Sequence, residues 1–293
     1  MHYQTYTEII DQKADLVIYS FDRPLQLYSL LESIHNYVAG LGTITVIYRT
    51  SNEQFEAAYQ EIKNEFCAIT MEKQSLNPRA DFKKLTMQAV FKNPHKYILF
   101  AVDDIIVTDY IDVSKSIVLL QEHQAYGFYF RLGKNLTHCY AFNSRQNLPP
   151  FKEVESDVFA WQFSRGQLDW GYPNTVDMAL YKKEDIIPYI VGIPYYSPNS
   201  FEGCWASKDA AIKNRYGLCH SHTKIVNIPL NVVQQEAKNR NMNLFTSDQL
   251  LKVFIDGKKI DIYQLYKIDN KAVHMEYKPT FINRKDVIIK SQA

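Results

Sequence analysis

Tyr97-Ile98-Leu99-Phe100-Ala101-Val102-Asp103-Asp104-Ile105-Ile106-Val107-Thr108-Asp109 is the stretch from which the fold can be read. An unbroken apolar run stops on two adjacent carboxylates and then resumes. Such a run is the signature of a central strand in a parallel sheet, where helices cover both faces. The two acids then stand at the carboxyl edge of the sheet, the edge at which open α/β sheets bind ligands. Neighbouring residues on a regular strand point to opposite faces, so both acids can serve one site only if the strand ends there and the chain turns. The plainer reading is a turn opened by short carboxylates that accept hydrogen bonds from nearby backbone N–H groups. The surrounding sequence favours a site.

Upstream, residues 16–21 form a short apolar strand, followed by Asp22-Arg23-Pro24 and by Leu27, Leu30, Leu31, Ile34 and Val38 at helical spacing. Gly40 and Gly42 close that helix, and residues 44–48 make a second strand ending on Arg49-Thr50-Ser51-Asn52. Phe55, Ala58, Tyr59, Ile62 and Phe66 form the next helical face, residues 68–71 an edge strand, and Asn77-Pro78 the cap and first position of a third helix. Strands alternating with helices predict an α/β fold with a doubly wound, mostly parallel sheet, whose loops after Phe21, Tyr48 and Val102 open on one cleft. No G-x-G-x-x-G follows the first strand and no G-x-x-x-x-G-K-[ST] occurs, which leaves dinucleotide and P-loop chemistry unsupported.

Composition narrows the class. Lys plus Arg (33) balance Asp plus Glu (32) to a net charge of +1, so the clustered basic surplus of a nucleic-acid binder is missing. The 46% apolar and 22% charged residues are ordinary for a globular chain of 293 residues. Cys67, Cys139, Cys204 and Cys219 are scattered without a C-x-x-C pair, which indicates neither a zinc knuckle nor a disulfide framework and suits a reducing cytosol. Residues 1–13 lack the pattern of a signal peptide, no run is long enough to span a membrane, and the sequon at Asn135-Leu136-Thr137 is taken as chance. The expected location is cytoplasmic, with peripheral attachment to the inner face of a membrane as an extension of that reading. No internal repeat or low-complexity segment is present.

The order strand-Ser20-Phe21-Asp22-Arg23-Pro24-helix, strand-Arg49-Thr50, helix, then strand-Val102-Asp103-Asp104 resembles the nucleotide-binding half of GT-A fold glycosyltransferases, especially the broad family 2 group. The resemblance covers roughly the first third of the chain, with short motifs in matching order. It implies that Ser20, Phe21, Asp22, Arg23 and Arg49 frame the nucleoside of a sugar nucleotide. Asp103 is then the sugar or ribose contact, and Asp104 the ligand of Mn2+ or Mg2+ bridging the diphosphate. A hard cation on oxygen ligands neutralises the charge that a diphosphate leaving group develops. Val102 stands where the family most often has its first acid, which leaves weak or absent metal dependence open.

In inverting members of that group a carboxylate roughly one hundred residues beyond the metal motif is the general base, and Glu202 in Pro198-Asn199-Ser200-Phe201-Glu202-Gly203 lies at about that distance. The same stretch reads as a helix start capped by Asn199 or Ser200 with Glu202 in the first turn, and the two readings are compatible. Trp170, flanked by Asp169 and Gly171, is read with Asp169 and Asn174 as an acceptor site, because aromatic faces bind sugar rings and polar groups satisfy hydroxyls. Trp161, in an alternating stretch, is read as core. Cys219-His220-Ser221-His222 places two imidazoles on one face, and the resemblance makes His222, or else His220, a late metal ligand. Arg215 and Lys224 are candidate phosphate contacts or ordinary surface charges.

The domain expectation is a GT-A unit over 1–235, with a nucleotide-binding half (1–110) and an acceptor half (111–235), and a C-terminal helical extension over 236–293. In that extension Ser247 caps a helix with Leu250, Leu251, Phe254 and Ile255, and Gly257 stops it. The expected activity is inverting transfer of a sugar from a nucleotide diphosphate donor to a hydroxyl of a saccharide or lipid-linked acceptor. A nucleotidyltransferase on a similar sheet, or a noncatalytic carbohydrate-binding protein that kept the fold, are the alternatives.

Overall fold

The computed structural model describes residues 12–233, 240 and 244–285. Its centre is a nine-stranded sheet. β1 (Ala14–Phe21), β2 (Leu41–Arg49), β3 (Ile69–Lys73) and β4 (Tyr97–Val102) form its parallel half in the order β3-β2-β1-β4. Directly after β4, the short β5 (Ile105–Val107) leaves this sheet for a ladder of its own. The remaining sheet strands are β6 (Gly127–Gly133), β7 (Lys152–Glu155), β8 (Val158–Gln162), β9 (Ala179–Lys182) and β10 (Tyr216–His220), in the order β4-β9-β6-β10-β8-β7. β9 is antiparallel to both β4 and β6, while β10 is parallel to β6 and β8 antiparallel to β10. The sheet is thus mostly parallel in direction, with β9 and β8 reversed.

Alternation along the central strands feeds two cores. Leu16 and Ile18 of β1 and Leu99 and Ala101 of β4 face one side, and Val17, Tyr19, Ile98 and Phe100 the other. The first side is covered by α1 (Pro24–Tyr37), α2 (Glu53–Glu65) and α4 (Val113–Glu122), the second by α3 (Pro78–Lys92), α5 (Lys183–Gly192) and α6 (Pro198–Ala206). Burying each such aliphatic side chain contributes ~1.5–3 kcal/mol, which is why a strand apolar on both faces goes to the centre of the sheet.

Local chemistry sets the element ends. Pro24 opens α1, and Asn52 caps α2 by accepting from the N–H groups of Gln54 (3.0 Å) and Phe55 (3.1 Å). Asn77 precedes α3 but its side chain makes no capping bond, so Pro78 alone marks that start. Gly40, at φ +83°, supplies the turn out of α1, whereas Gly42 is already inside β2.

At the amino end of the sheet Lys183 Nζ pairs with Asp15 Oδ2 at 2.8 Å and donates to the carbonyls of Val90 (2.8 Å) and Asn93 (2.9 Å). It joins β1 to the end of α3 and the start of α5.

The C-terminal part is mixed rather than helical. α7 (Ser247–Ile255) is capped by Thr246, not Ser247, in a reciprocal capping box with Gln249, and packs on α1 and α2. A two-stranded ribbon of Lys258–Ile260 with Phe281–Asn283 and a 3-10 turn at Ile262–Leu265 follow. The boundary expected at 235/236 lies outside the described residues. Residues 273–275 run beside β11 (Ile225–Asn227), which itself pairs with β5. There Asn227 N donates to Val273 O (3.0 Å) and Met275 N to Asn227 O (2.9 Å).

Candidate active site

The loops after β1, β2 and β4 open on a cavity of about 630 Å³ at the carboxyl edge of the sheet. Ser20, Phe21, Arg23, Arg49, Asp103, Asp104, Asp169 and Glu202 line it together. At one end the Arg49 guanidinium carbon lies 3.6 Å from the centroid of the Phe21 ring, a cation–π pair that forms a flat platform. Asp22 stands behind this platform. Its φ of +49° turns the chain, and its carboxylate accepts from Ser51 N at 2.9 Å, tying the first two loops together without lining the cavity. Asp22 is therefore a support for this platform rather than part of the cavity surface.

The two carboxylates that open the analysis have separate duties. Both oxygens of Asp103 are used inside the protein: Oδ2 accepts from Ser20 Oγ (2.8 Å) and Phe21 N (3.3 Å), and Oδ1 from Arg23 Nη1 (3.0 Å). Asp103 thus locks the end of β4 to the end of β1. Asp104 is held more loosely, with Arg23 Nη1 at 3.9 Å and Asn227 Nδ2 at 3.4 Å. Burial pushes the Asp104 carboxyl up to about 6; Asp103 and Asp177 add to the rise, and Arg23 and His274 oppose it.

Glu202 sits in the second turn of α6, whose cap is Ser197 in a reciprocal box with Ser200 rather than Asn199 or Ser200 itself. Its Oε1 accepts from Thr175 Oγ1 (2.6 Å) and Val176 N (3.0 Å), and its Oε2 has no hydrogen-bond partner among the described residues. Burial, then the charge of Asp177, push Glu202 up to about 7, against the Thr175 and Val176 bonds and Arg131. A carboxylate with one oxygen anchored and one available is equipped to take a proton near neutral pH.

Other expected residues lie elsewhere. Trp170 is fully buried, packing edge-on against Trp161 with ring centres 5.2 Å apart. Asn174 is fully buried too, bonded to the Tyr126 hydroxyl (2.7 Å) and to Trp205 O (2.9 Å). Neither lines the cavity: the short 3-10 turn at Leu168–Gly171 turns the indole inward and leaves Leu168, Asp169 and the following Tyr172 on the cavity wall. Asp169 faces the cavity with Arg131 Nη1 at 3.8 Å and Gln146 Nε2 at 3.0 Å.

His220 ends β10 and His222 follows it, and β10 is three strands away from β4, about 14 Å at the usual interstrand spacing. His220 bonds Asp157, and His222 Nδ1 lies 3.2 Å from Ser221 Oγ; neither lines the cavity with Asp104. Arg215 pairs with Asp185 and Lys224 with Asp109, both outside the cavity.

The imidazole beside Asp104 is His274, carried in by the C-terminal segment. Asp177, Asn227, Thr175 and Arg131 also escaped the sequence reading. Asp177 could have been found, since it precedes an apolar strand. β9 runs antiparallel with Leu180 opposite Leu99, so the residues before it stand beside the end of β4. His274 offers no local signal, being a lone histidine in a stretch without periodicity.

A divalent cation at Asp104 would find few ligands from the chain itself. Asp104 is a part-buried carboxylate whose nearest guanidinium, that of Arg23, stands 3.9 Å away, and His274 lines the same cavity. Among the described residues no group of three His, Cys, Asp or Glu side chains is placed to hold a metal, so diphosphate oxygens and water would complete the shell, as is common for Mg2+.

No protein-family model matches the chain. The bifunctional glycosyltransferase pgtA of Dictyostelium discoideum is 27% identical over a 213-residue alignment that covers 64% of this chain and 27% of that protein. The chain thus spans about a quarter of that relative's length. Among solved structures, residues 1–349 of TarS from S. aureus align with 71% of this chain and 58% of that one, at 14% identity and a TM-score of 0.45. The mannosyltransferase PcManGT from Pyrobaculum calidifontis, solved with GDP-Man and Mn2+, aligns over 69% of this chain and 53% of its own at 9% identity and a TM-score of 0.42. The chain is thus similar over part of its length to a glycosyltransferase, on an α/β fold built round a mostly parallel sheet. Among the described residues no helix is long and apolar enough to cross a membrane.

Proposed function

We propose that the chain moves a sugar from a nucleotide diphosphate donor to a hydroxyl acceptor with inversion at the anomeric carbon. One observation carries this reading: Glu202, anchored on one oxygen, shares a single cavity with Asp104 and with the Phe21–Arg49 platform. The platform takes the nucleoside. Arg23, fixed between Asp103 and Asn231 O, presents positive charge beside the diphosphate. Asp104 and His274 hold Mn2+ or Mg2+, which when bound neutralises charge on the leaving diphosphate. Glu202 accepts the proton of the acceptor hydroxyl as that oxygen attacks. Residues 1–110 supply the donor side, 111–235 the base, and 236–293 the histidine. The acceptor, a saccharide or lipid-linked saccharide, enters past Asp169, Tyr172 and the exposed Phe142.

A thermal-shift panel of UDP, GDP, CMP and dTDP sugars, with and without Mn2+, tests the reading, because a bound donor stabilises the folded state by mass action. One nucleotide class is expected to raise Tm more with Mn2+ than without. Asp104→Ala is expected to abolish the Mn2+-dependent increment and keep the remainder. A panel with no shift in any arm refutes the proposal.

A further inference from the structure

The segment that leads from the 3-10 turn at Leu168–Gly171 into β9 is docked onto α6 at two successive residues. Asn174 Nδ2 donates to Trp205 O (2.9 Å), and Thr175 Oγ1 donates to Glu202 Oε1 (2.6 Å). Three buried phenols hold the same segment from the sheet side. Pro173 O accepts from the hydroxyls of Tyr129 (2.8 Å) and Tyr181 (2.7 Å), Tyr126 donates to the Asn174 side chain (2.7 Å), and Thr175 N donates to the Tyr181 hydroxyl (3.2 Å). Thr175 is 1% exposed, yet it lines the cavity together with Glu202.

The direction of the Thr175 hydroxyl is set by its neighbour two residues on. Asp177 N donates to Thr175 Oγ1 at 3.1 Å, and a backbone N–H only donates, so the single hydroxyl proton is left for Glu202. Glu202 Oε1 also accepts from Val176 N (3.0 Å), another group that only donates. A proton placed on Oε1 would turn the Thr175 hydroxyl away and crowd the Val176 N–H. A proton placed on Oε2, which has no hydrogen-bond partner among the described residues, disturbs neither bond.

We propose that Thr175 is a positioning residue for the transfer: its hydroxyl, aimed by the Asp177 N–H, pins one oxygen of Glu202 so that the other alone receives the acceptor's proton. The inference rests on the reading of Glu202 as the base and assigns the step to one of its two oxygens. As the acceptor oxygen bonds to the anomeric carbon, the bond from that carbon to the diphosphate breaks, the electron pair leaves on the diphosphate, and the acceptor's proton passes to Oε2. The Thr175 hydroxyl also stabilises the ionised base, because a hydrogen bond donated to a carboxylate favours its charged form. The charged and titratable groups that face Glu202 are Asp177, Arg131 and the phenols of Tyr172 and Tyr181, which act on it through charge.

Glutamate labelled with 13C at Cδ allows a direct titration by nuclear magnetic resonance, with the Glu202 signal identified by its absence from Glu202→Gln. Thr175→Val keeps the shape of the side chain and deletes the hydroxyl. It is expected to raise the Glu202 midpoint by about one to two pH units, the effect of losing one hydrogen bond to a charged group, and Thr175→Ser is expected to bring the midpoint back to that of the unaltered protein. The second readout is hydrolysis, with water as acceptor, of the sugar nucleotide that raises Tm most in the thermal-shift panel. It is expected to slow roughly tenfold at pH 7 in Thr175→Val, as the ionised fraction of the base falls, and to recover in Thr175→Ser. Thr175→Ala, with the same expected shift, takes the place of Thr175→Val if the valine variant does not fold. A folded variant without the hydroxyl whose Glu202 midpoint does not move overturns the inference and leaves the base reading standing. Hydrolysis by Glu202→Gln as fast as by the unaltered protein overturns the base reading, and the inference with it.

Discussion

Glu202→Gln is expected to slow sugar transfer roughly a thousandfold, the middle of the range for losing a general base, while donor binding in the thermal-shift panel stays as before. The amide still accepts from Thr175 and Val176 through its oxygen, so the geometry of α6 survives and only proton acceptance is lost. With Glu202 raised to about 7, kcat/KM should climb as pH passes through that value and level off above it, since the ionised form is the base. Stability runs the other way. A carboxyl raised in the folded state contributes fully below its unfolded value of about 4.3, and that contribution is lost as pH rises through the folded one. Denaturant unfolding between pH 5 and 8 should therefore show a fall with pH that is shallower in Glu202→Gln. Unchanged transfer by this variant would remove Glu202 from the chemistry.

Lys183→Met is expected to produce the largest loss of stability, about 3–5 kcal/mol, the usual effect of leaving one member of a buried ion pair uncompensated. Asp15 is fully buried, and Lys183 also satisfies the last carbonyls of α3, so three elements lose a shared partner at once. For a chain of this size that is a fall of roughly 10 °C in Tm. The double variant Asp15→Asn, Lys183→Met should recover part of it, because no lone charge is then buried. A drop of less than about 1 kcal/mol, the worth of a surface pair, would show the bridge to be solvated.

The two layers of the fold were legible because the apolar runs at β1 and β4 have no polar face, and only a buried parallel strand tolerates that. That Phe21, Arg49 and Asp104 line one cavity was legible for the same reason: parallel strands put their loops on one edge. Legibility ended where the sheet reverses direction. Trp170 looked like a loop aromatic beside Gly171 and Pro173, yet its ring fills space behind Trp161, and sequence gives no sign of which way a short 3-10 turn faces. His222 was chosen for its strand-like spacing from His220, but spacing along the chain says nothing about how many strands separate it from Asp104. His274 depended on a single parallel bridge to Asn227, a contact between residues 47 positions apart with no pattern to announce it.

That bridge bears on how the protein comes into being. A growing polypeptide that has delivered its first four strands already holds Asp103 and Asp104 in place, yet it lacks the imidazole until residues 273–275 have emerged and docked beside Asn227. Since chains fold from the amino end as they are made, the acidic edge of the sheet can form before residues 273–275 are synthesised, and His274 joins the cavity only once they have docked.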